Sequence, residues 1–361
     1  MSSFSNKISL KFINTDIPIF PLSSLTFKNK IAAGGFGTVY DGILDNDSLI
    51  QSKKVAIKTV TLDSGDEETL KDFLQEANAA FVASSITRDK EVNEEEFEST
   101  ICRTLGISHD SKTTKIKTKI KLHIVMENLE CEGDLHDVIH LEEHWEFKPS
   151  RIRPKTYACI DHEGDYMLYT MSREMKISIA TQIARSLREC RDAKVLHNDI
   201  KPENILLLSK RGEVASKSNK ASTPTKKKRK RRNEPEPARC RIKLIDFGMG
   251  GVPKDCQGYS VGTAGYMAPE VIDHGQCSYK SDIFAAGMCI LEVWMGQLWV
   301  VGKDDEAEMK KSRIDCLKRL DKSDPVVAEL LRRTLNSDPG KRPSAKTLQS
   351  ELIKIRKNLA K

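Results

Sequence analysis

The chain lacks any closely spaced pair of cysteines. Its nine, Cys102, Cys131, Cys159, Cys190, Cys240, Cys256, Cys277, Cys289 and Cys316, are odd in number and never closer than twelve residues. That spacing argues against a zinc knuckle or a disulfide framework and for free thiols in a reducing compartment. No apolar run approaches the roughly 18 residues that cross a membrane. The N-terminal MSSFSNKISLKF also lacks the apolar stretch of a secretory signal, so a soluble, intracellular protein with no membrane partner is expected. Apolar residues make up only 39% of the 361 residues, because three long polar stretches dilute them. The length exceeds what one small core needs.

Positive charge is present, but in one place. The net charge is +7, and KKKRKRR, Lys226–Arg232, supplies seven positive charges by itself, which leaves the rest of the chain neutral. A protein that tracks a nucleic-acid backbone spreads basic residues over a folded face. Direct nucleic-acid binding is therefore not favoured, although auxiliary contact stays open. A basic heptamer flanked by Pro and Ser/Thr reads instead as a nuclear localisation signal for an import receptor, with nuclear location expected and the cytoplasm also open. The plainer alternative is a solvated, self-repelling loop. The stretch around it, residues 209–241, has almost nothing to bury and is expected to be a disordered insert between two strands.

The densest chemistry lies in HNDIKPEN, His197–Asn204, where a carboxylate, a cation and an amide share one tight loop. Asp199 can accept the proton of an attacking hydroxyl, Lys201 can neutralise a moving phosphoryl group, and Asn204 can hold a metal ion. Upstream, IAAGGFGTVYDGIL alternates apolar and small residues around a glycine cluster, as strand, turn and strand would. The run KKVAIKTV reads as a strand ending its VAIK on Lys58. In LKDFLQEANAAFV, apolar residues at 70, 73, 74, 77, 80 and 81 predict a helix with one buried face, and Glu76 lies on it, eighteen residues past Lys58.

The octapeptide resembles the protein-kinase catalytic loop H-R-D-x-K-x-x-N, and Asp246–Gly248 resembles the family's D-F-G. KLHIVMENL looks like a strand entering the hinge, VGTAGYMAPE like the end of an activation segment, and SDIFAAG and DPGKRP like two later landmarks of the family. The resemblance runs in family order from Ile31 to about Ile355. It implies an α+β, two-lobed fold: a small, mainly antiparallel β lobe with one helix at about 25–126, a hinge at 127–130, and a larger, mainly helical lobe at about 131–357, after an N-terminal extension at 1–24. It further implies a serine/threonine protein kinase that uses ATP with Mg2+ or Mn2+ and acts on protein hydroxyl groups, since Lys201 and Thr263 match the serine/threonine branch. Catalytic positions would be Asp199, Lys201, Lys58 and Glu76, with Asn204 and Asp246 on the metal. The nucleotide would lie against Ile31, Ala32, Ala33, Gly34, Gly35, Phe36, Gly37, Val39, Ala56, Lys58, Met126, Glu127, Leu129 and Leu206, with Met126 as gatekeeper.

Two positions depart from the family pattern. Ala32 stands where the first glycine of the phosphate loop is expected, and its methyl group can stiffen the loop without abolishing activity. Asn198 replaces the arginine of H-R-D and cannot form the bidentate pair that arginine makes with an activation-segment phosphate, so control by one such phosphate is not expected. The resemblance also implies an ion pair, Glu270 with Arg342, that closes the segment. Two further stretches interrupt the pattern, 84–119, which holds the acidic EVNEEEFE and then the strand-like ICRTLGI, and 141–170. His136, His140 and His144 recur every four residues, but no cysteine or carboxylate pattern closes a metal site around them, and a solvated helix face is expected; Cys159 and His162 are read the same way. The competing class is a pseudokinase or nuclear scaffold, against which the presence of Lys58, Glu76, Asp199, Asn204 and Asp246 argues.

Overall fold

Strand period 2 in KKVAIKTV places Val55 and Ile57 on one face and Ala56 and Lys58 on the other. In the computed structural model these residues lie in β3 (Lys53–Asp63), the middle strand of a five-stranded antiparallel sheet of order β1-β2-β3-β5-β4, with β1 at Leu25–Gly34, β2 at Gly37–Leu44, β4 at Thr104–Thr113 and β5 at Thr118–Glu127. The structure describes residues 16–34, 37–45, 52–63, 65–85, 98–113, 118–129, 131–139, 159–160, 166–167, 171–208, 241–258, 260–296 and 306–359. Val55 and Ile57 pack with Leu25, Leu44 and Val125 on the outer face. On the inner face Leu62, Ile120, Leu122 and Ile124 meet Phe73, Leu74, Ala77 and Phe81 of helix α1 (Glu67–Ser85), the apolar stripe that the 3.6-residue period predicts. Asp66 Oδ1 accepts from Thr69 N at 3.0 Å and caps the first turn of α1.

Stretch 84–119 contributes two elements to this lobe, one of them overlapping the strand-like ICRTLGI. Ser84 and Ser85 finish α1, and β4 is the sheet's edge strand, paired with β5 from Thr104↔Met126 to Thr113↔Thr118. Residues ahead of β1 also join this lobe: Phe20 N donates to Ile107 O and Ile107 N to Pro18 O, each at 2.8 Å.

Beyond the hinge, β6 (Cys131–Asp134) leads into the short helix α2 (Leu135–Ile139). A two-residue pair follows, β7 (Cys159–Ile160) against β8 (Tyr166–Met167), and then the long helix α3 (Arg173–Asp192), capped by Ser172. Strands β9 (Ile205–Leu208) and β10 (Arg241–Leu244) pair antiparallel, with β6 on the other side of β9. They flank the basic insert, of which residues 209–240 lie outside the described residues, as do His140, His144 and His162. The helical lobe is completed by α4 (Pro269–His274), α5 (Tyr279–Met295), α6 (Glu306–Ser323), α7 (Pro325–Thr334) and α8 (Ala345–Leu359). Its single core joins Ile179, Ile183 and Leu187 of α3 to Phe284, Met288 and Leu291 of α5 and to Leu331, Leu348 and Leu352. The expected two-lobed α+β fold is the observed one.

Candidate active site

Antiparallel register fixes which side chains share the cleft face of the sheet. Val39 lies opposite Lys58, Ala56 opposite Met126, and Lys58 opposite Ile124, so Val39, Ala56, Lys58 and Met126 project to one side. The β1–β2 hairpin forms one edge, with pairs Ala32↔Val39, Ala33↔Thr38 and Gly34↔Gly37. Gly35 and Phe36 at its tip lie outside the described residues, and Ile31 is 58% exposed. Gly37 holds φ +122°, and a Cβ there would stand 2.5 Å from Thr59 O, so this position needs glycine. On the other lobe Leu206 of β9 sits between Asp134 of β6 and Lys243 of β10. At the hinge, Glu127 N already donates to Arg103 O at 2.9 Å, while its carboxylate accepts from Lys243 Nζ at 2.9 Å and Arg103 N at 2.8 Å. That amide is therefore committed, and among Glu127's backbone groups only the carbonyl can serve a ligand.

Lys58 joins the two lobes. Its Nζ stands 2.5 Å from Glu76 Oε1 on α1 and 2.9 Å from Asp246 Oδ1 beyond β10. Burial penalises the ammonium, but the two carboxylates outweigh it and hold the amine above its ordinary pKa. Burial likewise works against the charge on Asp246, yet Lys58 prevails and keeps that carboxyl below the usual carboxylate range. Asp246 also takes a bond from Gly248 N at 3.3 Å on the same oxygen.

Asp199 is ringed by donors. Thr263 Oγ1 donates to its Oδ1 at 2.6 Å, Lys201 Nζ lies 3.1 Å from its Oδ2, and Asn204 Nδ2 reaches that oxygen at 3.1 Å and the Asp199 carbonyl at 2.8 Å. Lys201 Nζ in turn donates to Thr263 Oγ1 at 2.8 Å. Asn204 thus turns its amide nitrogen to the loop, and its carbonyl oxygen accepts no bond among the described residues. Together with the second oxygen of Asp246, this is a hard, anionic oxygen donor set that fits a Mg2+-type ion.

The catalytic loop rests on residues to which the sequence assigned no role. Asp282 at the start of α5 accepts from His197 N and Asn198 N, each at 2.9 Å. It belongs to the SDIFAAG landmark, but only the fold shows what it holds. Burial lowers the His197 pKa, and its ring bonds Ile245 O at 3.0 Å and packs against Phe247 at a 55° tilt, 4.7 Å between ring centres. Asn198 adopts φ 64°, a conformation asparagine tolerates well, and donates Nδ2 to Met249 O at 2.9 Å. Gln75, next to Glu76, donates to Gly250 O at 3.0 Å. Arg342 forks onto Glu270 at 2.6 and 2.7 Å and is wholly buried in its side chain, as expected for this pair.

Around His136 the picture differs from the sequence reading. Helix α2 is described over Leu135–Ile139, and two carboxylates, Asp134 and Asp137, bring their oxygens and the His136 ring within 4.8 Å of one another. Asp134 Oδ1 caps Asp137 N at 2.8 Å, which accounts for the cluster as a helix start.

A model of the protein kinase domain family matches residues 25–352. Similar curated proteins include the G-type lectin S-receptor-like serine/threonine-protein kinase RKS1 of Arabidopsis thaliana, 25% identical over 298 residues that cover 79% of this chain and 26% of that protein. The putative mitogen-activated protein kinase kinase kinase 7-like of Drosophila melanogaster is 22% identical over 296 residues, 78% of this chain and 58% of its own length. The serine/threonine-protein kinase AFC2 of Arabidopsis thaliana is 33% identical over 137 residues, 37% of this chain and 31% of that protein. The chain therefore spans less than two thirds of the length of these relatives. With the family pattern running through both lobes, from β1 to α8, the chain belongs to the protein kinase family.

Proposed function

We propose that the protein is a serine/threonine protein kinase that transfers the ATP γ-phosphoryl group to protein hydroxyl groups. The observation that carries this is Lys58, held at once by Glu76 of the β lobe and Asp246 of the helical lobe, because the phosphate-gripping cation is then poised across a closed cleft. Val39, Ala56, Met126 and Leu206 offer the apolar slot for adenine, with the Glu127 carbonyl and the Leu129 backbone at its edge. Asp199 orients an incoming hydroxyl and takes its proton, and Lys201 offsets the charge that develops beside it. Thr263, bonded to both, favours serine and threonine as acceptors. A divalent cation, Mg2+ or Mn2+, held by Asn204 and Asp246, would supply positive charge to the phosphate oxygens.

We infer nuclear location from the basic run Lys226–Arg232 and an import receptor as its partner; the neutrality of the remaining chain speaks against a nucleic-acid-binding function. The catalytic reading is tested with purified protein, labelled ATP and a generic basic protein substrate. Asp199→Asn should lower kcat by roughly 10² to 10⁴, the usual worth of a positioned proton acceptor. Asp246→Asn should abolish metal-dependent turnover with an unchanged circular dichroism spectrum. Transfer by either variant at the rate of the unaltered protein would refute the mechanism.

A further inference from the structure

Backbone carbonyls that leave regular structure need donors, and the segment after Asp246 obtains them in an unusual way. Three successive carbonyls are each met by a donor from another part of the chain, two from the stretch 196–198 and one from α1. Met249 O accepts from the Asn198 side chain at 2.9 Å, Gly250 O from the Gln75 side chain at 3.0 Å, and Gly251 O from Leu196 N at 2.8 Å, with Gly251 N returning a bond to Leu196 O at 3.1 Å. The two glycines permit this approach. A Cβ on Gly251 would stand 2.8 Å from Gln75 Nε2, and one on Gly250 would stand 3.0 Å from Leu196 O.

Gln75 and Glu76 are neighbours on α1, where consecutive side chains point about 100° apart. One reaches Gly250 and the other reaches Lys58. An outward shift of α1 that breaks the Lys58–Glu76 pair therefore also draws the Gln75 amide away from the Gly250 carbonyl. None of the donors to these carbonyls is charged, and none requires a phosphate.

We propose that Gln75 is a positioning residue: by pinning Gly250 while Asn198 pins Met249, it ties the place of Asp246 to the inward place of α1 and orders this segment without phosphorylation. The effect on transfer rests on the kinase reading above, whereas the mechanical coupling does not. Gln75→Met keeps length and helix propensity but removes the donor. Gly251→Ala attacks the same contact from the other side, by displacing the Gln75 amide.

The full chain, treated with phosphatase, is compared as unaltered protein, each single variant and the double variant. Two readouts are taken: hydrogen exchange of peptides covering 246–258, and steady-state kinetics with ATP and a basic protein substrate. Gln75→Met should speed exchange in that segment and lower kcat/KM for ATP by about threefold to tenfold, the size expected for one neutral hydrogen bond. The KM for the protein substrate should change less than about twofold, since the contact sits four residues past Asp246 and leaves the far end of the segment, Glu270 paired with Arg342, untouched. Gly251→Ala should behave alike, and the double variant should lose little more than either single one, because both remove one contact. Unchanged exchange in Gln75→Met, or losses that add in the double variant, would overturn the proposal. Faster exchange in Gln75→Met from a chain that transfers no phosphate in any form would uphold the coupling and refute the kinase reading.

Discussion

Asp282 shows how much a single side chain settles in this molecule. It is 3% exposed, its oxygens accept from His197 N and Asn198 N, and burial pushes its carboxyl up to about 6 against the help of those two bonds. A carboxyl raised on folding binds its proton more tightly in the native state, so its contribution to stability is greatest at acid pH and falls as pH rises from about 4 to about 6. Asp282→Asn removes this titration and sets an amide N–H against one of the backbone N–H groups. The variant should be less stable at pH 7 by about 1–3 kcal/mol, the cost of an unmet buried donor. Its deficit relative to the unaltered protein should widen as pH falls from about 7 to about 4, in urea unfolding at each pH; a deficit that narrows toward acid would contradict the assignment. At this scale the sequence showed the groups of HNDIKPEN, since their spacing alone places them on one loop, and D-F-G through its likeness to the family motif. It could not show Gln75 with Gly250, which lie 175 residues apart and whose contact has no spacing signature. Asn198 was legible only as a lost arginine; its own bond to Met249 O emerged from the fold.

Elements with one wet face were legible, and those without were not. Helix α1 and strand β3 carry clean periods because one side of each meets solvent or the cleft. Edge strand β4, TLGISHDSKT, was legible only in its first residues, within the strand-like ICRTLGI, and its remainder hides in polar composition. It is recruited by its nine register pairs with β5, and Thr104 and Ser108 are buried in it despite their hydroxyls. Helix α5 is the opposite case: every residue from Ser281 to Val293 is buried, so no amphipathic stripe exists to read. Its limits come from a capping box at Ser278 and Ser281 and from Gly296 in the left-handed conformation. Inside it, a Cβ on Gly287 would meet Thr334 Cγ2 at 2.8 Å and Leu335 Cδ2 at 2.9 Å. Gly287→Ala gains about 1 kcal/mol of helix propensity but overpacks the contact with α7 at about 1–3 kcal/mol. Since these neighbours are themselves buried, overpacking should win, and thermal denaturation should show a lower Tm for the variant. A raised Tm would mean that the end of α7 yields freely.

At the scale of the whole molecule the two lobes are bound by more than the hinge. Cys102 N donates to Leu244 O at 2.9 Å and Leu244 N to Thr100 O at 2.7 Å, while the Glu189 carboxylate of α3 accepts from Ser99 Oγ, Thr100 N and Thr100 Oγ1 within 3.1 Å. The chain ahead of β4 is thereby strapped to the helical lobe beside β10. Arg241, the first residue of β10, pairs with Leu208 across the ladder and forms an ion pair with Glu98 of the same strap. Leu208 opposite Arg241 is therefore a pinned point on either side of the basic run, and residues 209–240 between them lie outside the described residues. Replacing Lys226–Arg232 by a neutral Gly/Ser stretch should leave kcat and KM within about twofold of the unaltered protein, because a stretch with almost nothing to bury contributes little to a packed core. In nucleated cells the same replacement in a fluorescently tagged full chain should move the protein from nucleus to cytoplasm, because the remaining chain carries no net charge to engage an import receptor. A protein that stays nuclear would refute the import reading, and a loss of activity of tenfold or more, about 1.4 kcal/mol of barrier, would assign the insert to the catalytic apparatus instead.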